Sequence, residues 1–343
     1  MSFLEARLRA RRAARAKFDS FHQKVARGLA YYVPPRQDGH VLHFSKPDNP
    51  PYGFLPLANM QVRRAATYIL IDKMLEQYRR VRRDPDVRAF LATFAWNAGL
   101  TPITAPEIDL EAMERSVRRQ LNRLGLNAVC AFDIDVFSRP FDGEQTRYLH
   151  FHVHALCWTR DPKFQPRNSA EKLCSSRAFP NRIGVPSVTF RSRAESAAQF
   201  AGFQRALPNQ DQTAASMAML AQYILKDTCV SKNRYRGRDG RMRTRPEAGR
   251  FTPTVALRFA EIYSQISPYD AVFAVGPEAS MITAAYGARL RRWERRNREH
   301  GEQCDEHRLM AAWARYFDLH PELEFAPSSI HQRRHTLAAS STC

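Results

Sequence analysis

The segment from Tyr148 to Trp158 places a histidine at every second position of an otherwise apolar run. These histidines are His150, His152 and His154. Side chains alternate between the two faces of a β-strand, so the three imidazoles project together from one face. Imidazole is the commonest metal-binding side chain, and a row of imidazoles on one strand can hold a divalent ion. The alternative interpretation is a buried strand whose histidines bond to neighbouring backbone groups.

A second run of β-forming residues lies upstream, from Ala128 to Phe137, and turn-forming residues follow it at 139–143. The two runs predict an antiparallel hairpin with a long loop. Asp133 and Asp135 share one face of the upstream strand. They are either solvated aspartates or carboxylates beside the imidazoles. A mixed histidine and carboxylate set suits Mn²⁺ or Mg²⁺, and because Mg²⁺ prefers oxygen we expect Mn²⁺ or another transition ion to bind more tightly.

Other segments complete an α+β pattern. Residues 86–96 predict a strand before the hairpin, and residues 107–124 predict an amphipathic helix that Gly125 ends. Residues 214–227 predict a further helix, in which Tyr223 and Lys226 are three residues apart and share a face. We therefore expect an α+β fold with an antiparallel central sheet covered by helices and helical flanking regions.

The order of these motifs resembles that of the HUH endonucleases, the superfamily of rolling-circle replication initiators, relaxases and related transposases. His152-Val153-His154 resembles their His-hydrophobic-His motif, although Phe151 stands where many initiators have proline. The resemblance covers residues 87–230 and implies a core similar to ferredoxin or RRM domains. Thr93 is the nearest match to a threonine-rich segment that often ends the first strand of initiators.

The resemblance implies a divalent metal, Mn²⁺ or Mg²⁺, on the open face of the sheet. Its histidine pair is either His152 with His154, which we favour, or His150 with His152. Relatives often place an acidic residue near the hairpin partner, so Asp133 looks like the third ligand, with Asp135 as its alternate.

The resemblance also implies a tyrosine nucleophile. Tyr223 and Lys226 look like the Tyr-x-x-Lys motif of single-tyrosine initiators, and their helix is expected to lie across the metal site. A tyrosine hydroxyl with a pKa near ~10 is a weak nucleophile at neutral pH, so the metal and a nearby cation must assist it. The fallback candidates are Tyr235, Tyr263 and Tyr269.

The activity that the resemblance implies is initiation of replication for a plasmid or single-stranded DNA phage. Such an initiator recognises an origin hairpin, nicks single-stranded DNA and stays joined to the 5′ end through a phosphotyrosine. The chain has no Walker-type glycine loop, so a host helicase and polymerase are expected partners. Two alternatives remain: a transposase or relaxase of the same superfamily, and a non-catalytic basic nucleic-acid-binding protein whose histidines are structural.

The charge balance favours a polyanionic partner. The chain has 53 Lys and Arg against 34 Asp and Glu, a formal net charge of +19. Phosphate neutralisation by such a chain predicts steeply salt-dependent binding. No apolar run reaches transmembrane length, so no membrane partner is expected. The six cysteines form no Cys-x-x-Cys pair, which favours free thiols in the cytoplasm of a bacterial host.

Composition divides the chain into five expected regions. They are a basic helical region at 1–84, the nickase domain at 85–230, a basic flexible loop at 231–250, a helical region at 251–325 and a disordered tail at 326–343. The loop is rich in arginine and glycine, so we expect it to clamp a DNA strand.

Overall fold

The computed structural model describes residues 7–16, 60–81, 86–141, 146–191, 231–246 and 252–298, with a few single positions outside these ranges. The helices are α1 (residues 7–16), α2 (Met60–Val81), α3 (Leu110–Arg123), α4 (Pro166–Cys174), α5 (Pro253–Ser264), α6 (Pro268–Ala271) and α7 (Pro277–Arg298). The strands are β1 (Arg88–Phe94), β2 (Leu100–Pro102), β3 (Asn127–Arg139), β4 (Tyr148–Thr159), β5 (Val188–Arg191), β6 (Ser231–Arg236), β7 (Met242–Pro246) and β8 (Val272–Val275).

The eight strands form a single sheet. Its main path runs β5-β1-β4-β3-β6-β7, while β2 pairs with β4 and β8 pairs with β3. Every pairing is antiparallel except the one between β3 and β6, which is parallel. The prediction of a mixed α+β chain with a largely antiparallel sheet and flanking helices is therefore confirmed.

The long hairpin predicted from the two β-forming runs is the centre of this sheet. Residues Asn127–Phe137 of β3 pair with Tyr148–Trp158 of β4 without a break in register. The predicted strand at 86–96 is also present as β1, which pairs with the other edge of β4. The strand that carries the histidines thus has neighbours on both sides.

Helices cover both faces of the sheet. On one face, α3 places the Arg118 guanidinium 5.2 Å from the centroid of the Phe273 ring in β8. On the other face, α7 begins beside the ends of β3 and β4, where the Trp158 indole N–H donates to Glu278 and the Glu278 backbone N–H donates to Asn127. Because side chains alternate between the two faces along each strand, Asn127 and Trp158 lie on the same face as the histidines.

The limits of α3 follow from local chemistry. The Asp109 carboxylate accepts a hydrogen bond from the backbone N–H of Ala112 and caps the first turn. Gly125 follows the last turn with φ +63°, a conformation that glycine adopts without strain. A second glycine, Gly99, allows a close approach, because a Cβ there would stand 1.9 Å from the Phe151 carbonyl oxygen.

The basic segment expected to be a flexible loop is a β-hairpin between 231 and 246. β6 and β7 pair from Lys232 to Arg236, and Gly240 with φ +74° lies in the turn. Because strand-forming residue types are scarce here, the sequence did not indicate strands. The helical region expected at 251–325 also contributes β8, so both regions join the sheet of the central hairpin.

Three expectations lie outside the described residues. They concern the helix at 214–227, the tail at 326–343 and most of the basic region before 60. Within the described part of the chain, no helix combines the length and apolar character required to span a bilayer.

Candidate metal centre

The two central strands bring imidazoles and carboxylates together on one face. Asp133 stands opposite His152 in the β3–β4 register, and Asp135 stands opposite His150. Residues directly opposite in an antiparallel pair project to the same side, so register places these four groups together, and alternation along β4 adds His154 as the fifth. They are buried, with 1% exposure for each aspartate and 3–4% for the histidines.

Three of these side chains converge on one point. The Nε2 atoms of His152 and His154 are 3.1 Å apart, and each lies 3.3 Å from Oδ2 of Asp133. Neighbouring ligands of an ion bound at about 2.1 Å stand roughly 3.0–3.4 Å apart, so these separations fit a single shared divalent ion. The structure therefore brings together the favoured histidine pair and the aspartate expected beside it.

Neighbouring groups fix the orientation of both imidazoles. The Nδ1 of His152 lies 3.0 Å from the His150 carbonyl oxygen, which can only accept, so Nδ1 carries a proton and Nε2 can offer its lone pair. The Nδ1 of His154 lies 3.0 Å from the Thr93 hydroxyl on β1. Such outer contacts set the tautomer and direction of metal-binding histidines. Thr93 thus contacts the cluster through His154.

His150 stands apart from the convergent group. Its Nε2 lies 3.3 Å from the carbonyl oxygen of Trp96, and its ring centroid is 5.5 Å from that of Phe137. Burial, followed by the neighbouring His152 and Lys232, lowers the pKa of His150 to about 3. This imidazole is therefore neutral at physiological pH and serves as a packed, hydrogen-bonded neighbour.

Asp135 is shared between the cluster and a lysine. Its Oδ2 lies 3.5 Å from Nε2 of His152 and also accepts from the ammonium of Lys232 on β6. No local sequence pattern indicates Lys232, because the parallel pairing of β6 with β3 joins residues 97 positions apart. The ammonium thus places a positive charge beside Asp135 at the edge of the cluster.

The predicted nucleophile and its lysine, Tyr223 and Lys226, lie outside the described residues. Among the fallback tyrosines, Tyr235 lies on β6. The Ser231 hydroxyl bonds to Ser138, on the face opposite the cluster, and alternation places Tyr235 on that opposite face as well.

The other two fallback tyrosines pack among helices. Tyr263 is 6% exposed, and its ring lies beneath the guanidinium of Arg63 at 3.9 Å. Tyr269, on α6, lies beside Gly287 of α7. Their described contacts thus join helices and do not involve the cluster.

Comparisons with protein-family models, with curated proteins and with solved structures find no match. The class that the structure itself defines is a mixed α+β protein with a buried Asp/His/His group on its two central strands. This group could hold a metal ion.

Proposed function

We propose that this protein is a metal-dependent DNA nickase of the HUH type, and specifically an initiator of rolling-circle replication for a plasmid or phage. The observation that carries the proposal is the convergence of Asp133, His152 and His154 on adjacent central antiparallel strands. The motif order supports it, since Tyr223 and Lys226, which are three residues apart, follow the histidine strand in the chain.

In the proposed reaction the cluster holds Mn²⁺ or Mg²⁺, which supplies Lewis-acid polarisation of the scissile phosphate. The Tyr223 oxygen forms a bond to phosphorus, and the bond from phosphorus to the 3′ oxygen breaks. The tyrosine proton is lost and the departing 3′ oxygen gains one, leaving a free 3′-hydroxyl. Lys226 and Lys232 provide positive charge near the phosphate and near Asp135, respectively.

The β6–β7 hairpin supports a nucleic-acid partner. Residues 231–246 include seven basic side chains and one acidic side chain, Asp239. β6 pairs with β3 only as far as Asn233, so the rest of the hairpin extends beyond that pairing. Most of its arginines are exposed. We propose that this arm contacts phosphates of the origin hairpin, and that a host helicase and polymerase in the bacterial cytoplasm then extend the nick.

A second candidate function is non-catalytic nucleic-acid binding with structural histidines. The burial of the cluster favours it, because each imidazole already bonds to a neighbour: Trp96, His150 or Thr93. A transposase or relaxase of the same superfamily would share the proposed chemistry and differ in its DNA target.

A covalent-adduct assay tests the nickase. Full-length protein is incubated with labelled single-stranded oligonucleotides covering the presumed origin, with Mn²⁺ or with EDTA, and resolved on a denaturing gel. We expect a Mn²⁺-dependent adduct that Tyr223→Phe abolishes and that Tyr235→Phe leaves intact. An adduct that persists in Tyr223→Phe moves the nucleophile to another tyrosine. Salt-sensitive DNA binding without any adduct supports the second candidate.

A further inference from the structure

A groove with a volume of about 440 Å³ lies between α1, α2 and α7, and none of its lining residues belongs to the metal centre. Three arginines of α7 form one of its sides: Arg289, Arg292 and Arg296. Their spacing of three and four residues aligns them along one side of the helix. All three are exposed, so the groove is open to solvent along α7 and can admit a ligand longer than itself.

No described residue offsets the positive charge of these three arginines. In the part of the chain that the structure describes, none of them forms an ion pair with a carboxylate. The wall contains the carboxylate of Asp72, which accepts from Arg7 through both oxygens, each at 2.6 Å, and from Arg11 at 2.8 Å. The negative charge of Asp72 is therefore neutralised by α1, and the charge of the α7 side is left for a ligand.

Arginines near the end of a helix can be purely structural, because they stabilise the negative end of the helix dipole. This effect falls off within the last turn of a helix. α7 ends at Arg298, so Arg289 and Arg292 lie nine and six residues before its end. The helix dipole thus does not account for their position along the groove.

The row of arginines is long enough for several phosphates. At about 1.5 Å per helical residue, Arg289 and Arg296 are about 10.5 Å apart along the helix axis. One strand of a nucleic-acid duplex carries a charge for every ~3.4 Å of its axis, so the row spans about three phosphates. Guanidinium groups bind phosphate through two parallel hydrogen bonds. Successive phosphates on one backbone therefore match the groove better than a single small anion.

The aromatic side chains in the wall already have partners. Arg11 covers the Tyr68 ring at 5.0 Å, and the Tyr68 hydroxyl donates to the Arg11 carbonyl oxygen. Trp293 also interacts with another residue already. Among the described residues, the groove thus offers charge for phosphates and does not offer an unoccupied ring for a base.

An anionic membrane surface is another polyanion that arginines can bind. A helix that lies on a bilayer buries an apolar face in it. Between residues 289 and 296, every exposed residue of α7 is an arginine, and Leu290 is fully buried. This part of α7 has no exposed apolar side chain to insert, which favours a nucleic acid.

We propose that the groove binds the phosphodiester backbone of a nucleic-acid strand without recognising its bases. Arg289, Arg292 and Arg296 bind successive phosphates. The groove adds a second nucleic-acid contact to that of the β6–β7 hairpin. It uses none of the residues of the metal centre, so the proposal does not depend on nickase activity.

The test is calorimetric titration of the full-length protein at several salt concentrations. The probes are decathymidylate, an abasic decamer with the same phosphodiester backbone, and inorganic tripolyphosphate; phosphatidylserine vesicles are tested by co-sedimentation. The site variant is Arg292→Gln/Arg296→Gln. The matched control is Arg291→Gln/Arg295→Gln, which removes the same charge from exposed positions of α7 that do not line the groove. Circular dichroism checks that both variants fold.

Decathymidylate and the abasic decamer should bind the wild type with nearly equal affinity. The site variant should weaken both by about tenfold and reduce the log–log salt slope by about 1.4, because two phosphate contacts are lost at about 0.7 each for a single strand. The control should change neither quantity appreciably. The same difference should persist in an Arg238→Gln/Arg241→Gln background, in which binding to the β6–β7 hairpin cannot hide the loss.

Much weaker binding of the abasic decamer than of decathymidylate would overturn the proposal, because the bases would then be recognised. Equal losses in the site variant and the control would also overturn it, since the effect would be one of general charge. So would a wild-type protein that binds none of the probes, or that binds only tripolyphosphate or vesicles.

Discussion

The Nε2 atoms of His152 and His154 face each other at 3.1 Å, with their ring planes at 87°. Two ring nitrogens that both present lone pairs at this distance repel each other, and the Asp133 carboxylate between them adds negative charge. The arrangement is therefore favourable only with a shared proton or cation. A divalent ion satisfies all three groups at once, which makes metal binding the first property to measure.

Asp133→Asn should weaken Mn²⁺ binding by at least about 10–100-fold, the range found when groups that support a metal site are removed. The loss is expected because the amide carries no charge. Titration calorimetry measures it directly. Wild-type unfolding provides a second readout, since metal at 100 times its Kd should add about 2.7 kcal/mol to the free energy of unfolding.

The matched control is Asp86→Asn, at an exposed position outside the cluster. It should leave Mn²⁺ affinity unchanged. Equal affinity for Mn²⁺ in wild type and Asp133→Asn would contradict the assignment of the centre.

Thr93→Val should weaken metal binding without disturbing the sheet. Valine keeps the shape of threonine and removes the hydroxyl that lies 3.0 Å from Nδ1 of His154. Loss of such an outer contact typically costs about 10–100-fold in metal affinity. Thr93→Ser keeps the hydroxyl and should restore most of it. If Thr93→Val binds Mn²⁺ as wild type does, His154 needs no orienting partner.

Arg238→Gln/Arg241→Gln, at the exposed turn of the β6–β7 hairpin, should weaken DNA binding and its salt dependence. Each lost phosphate contact should reduce the log–log salt slope by about 0.9 for duplex DNA. Fluorescence anisotropy with a labelled DNA hairpin at several salt concentrations measures this slope. Arg119→Gln/Arg123→Gln on α3 removes the same charge and should have little effect. Equal losses in the two variants would indicate a general charge effect.

Arg258→Met should destabilise the fold by about 3–5 kcal/mol, because it removes the guanidinium that pairs with the buried carboxylate of Glu261. Arg258 is fully buried and bonds to Glu261 at 2.5 Å and to the carbonyl oxygens of Ile103 and Thr104. Guanidinium unfolding gives the free energy. The double variant Arg258→Met/Glu261→Leu should recover much of the lost stability. If the double variant is no more stable than the single one, the loss comes mainly from the hydrogen bonds of Arg258 to the two carbonyl oxygens.

Sequence patterns were sufficient to predict the central hairpin, because its two strands are close in the chain and their residue types alternate strongly. The choice of Asp133 over Asp135 came from the resemblance. The alternation of His150, His152 and His154 gave their common face, and the predicted hairpin placed both aspartates on the strand beside them. Both inferences use only local geometry, namely the alternation of side chains along a strand and the pairing of two strands that are close in the chain.

Contacts between distant segments could not be predicted in this way. Lys232 approaches Asp135 through a parallel pairing, and no local pattern specifies which distant strand lies beside β3. The strands of the β6–β7 hairpin were also not predicted, because a pattern so rich in arginine is typical of a solvated loop. β8 is only four residues long, too short to show a period between two helices.

The unbroken register between β3 and β4 determines which changes of chain length the metal centre can tolerate. One residue inserted within a strand turns every side chain after the insertion to the opposite face of the sheet. An insertion in β3 could turn Asp133 in this way, and one in β4 could turn the histidines. A residue added between Arg139 and Tyr148 would lengthen the connection and leave both strands in phase. Length variation among natural variants of this chain should therefore accumulate in that connection and avoid the strands beside it.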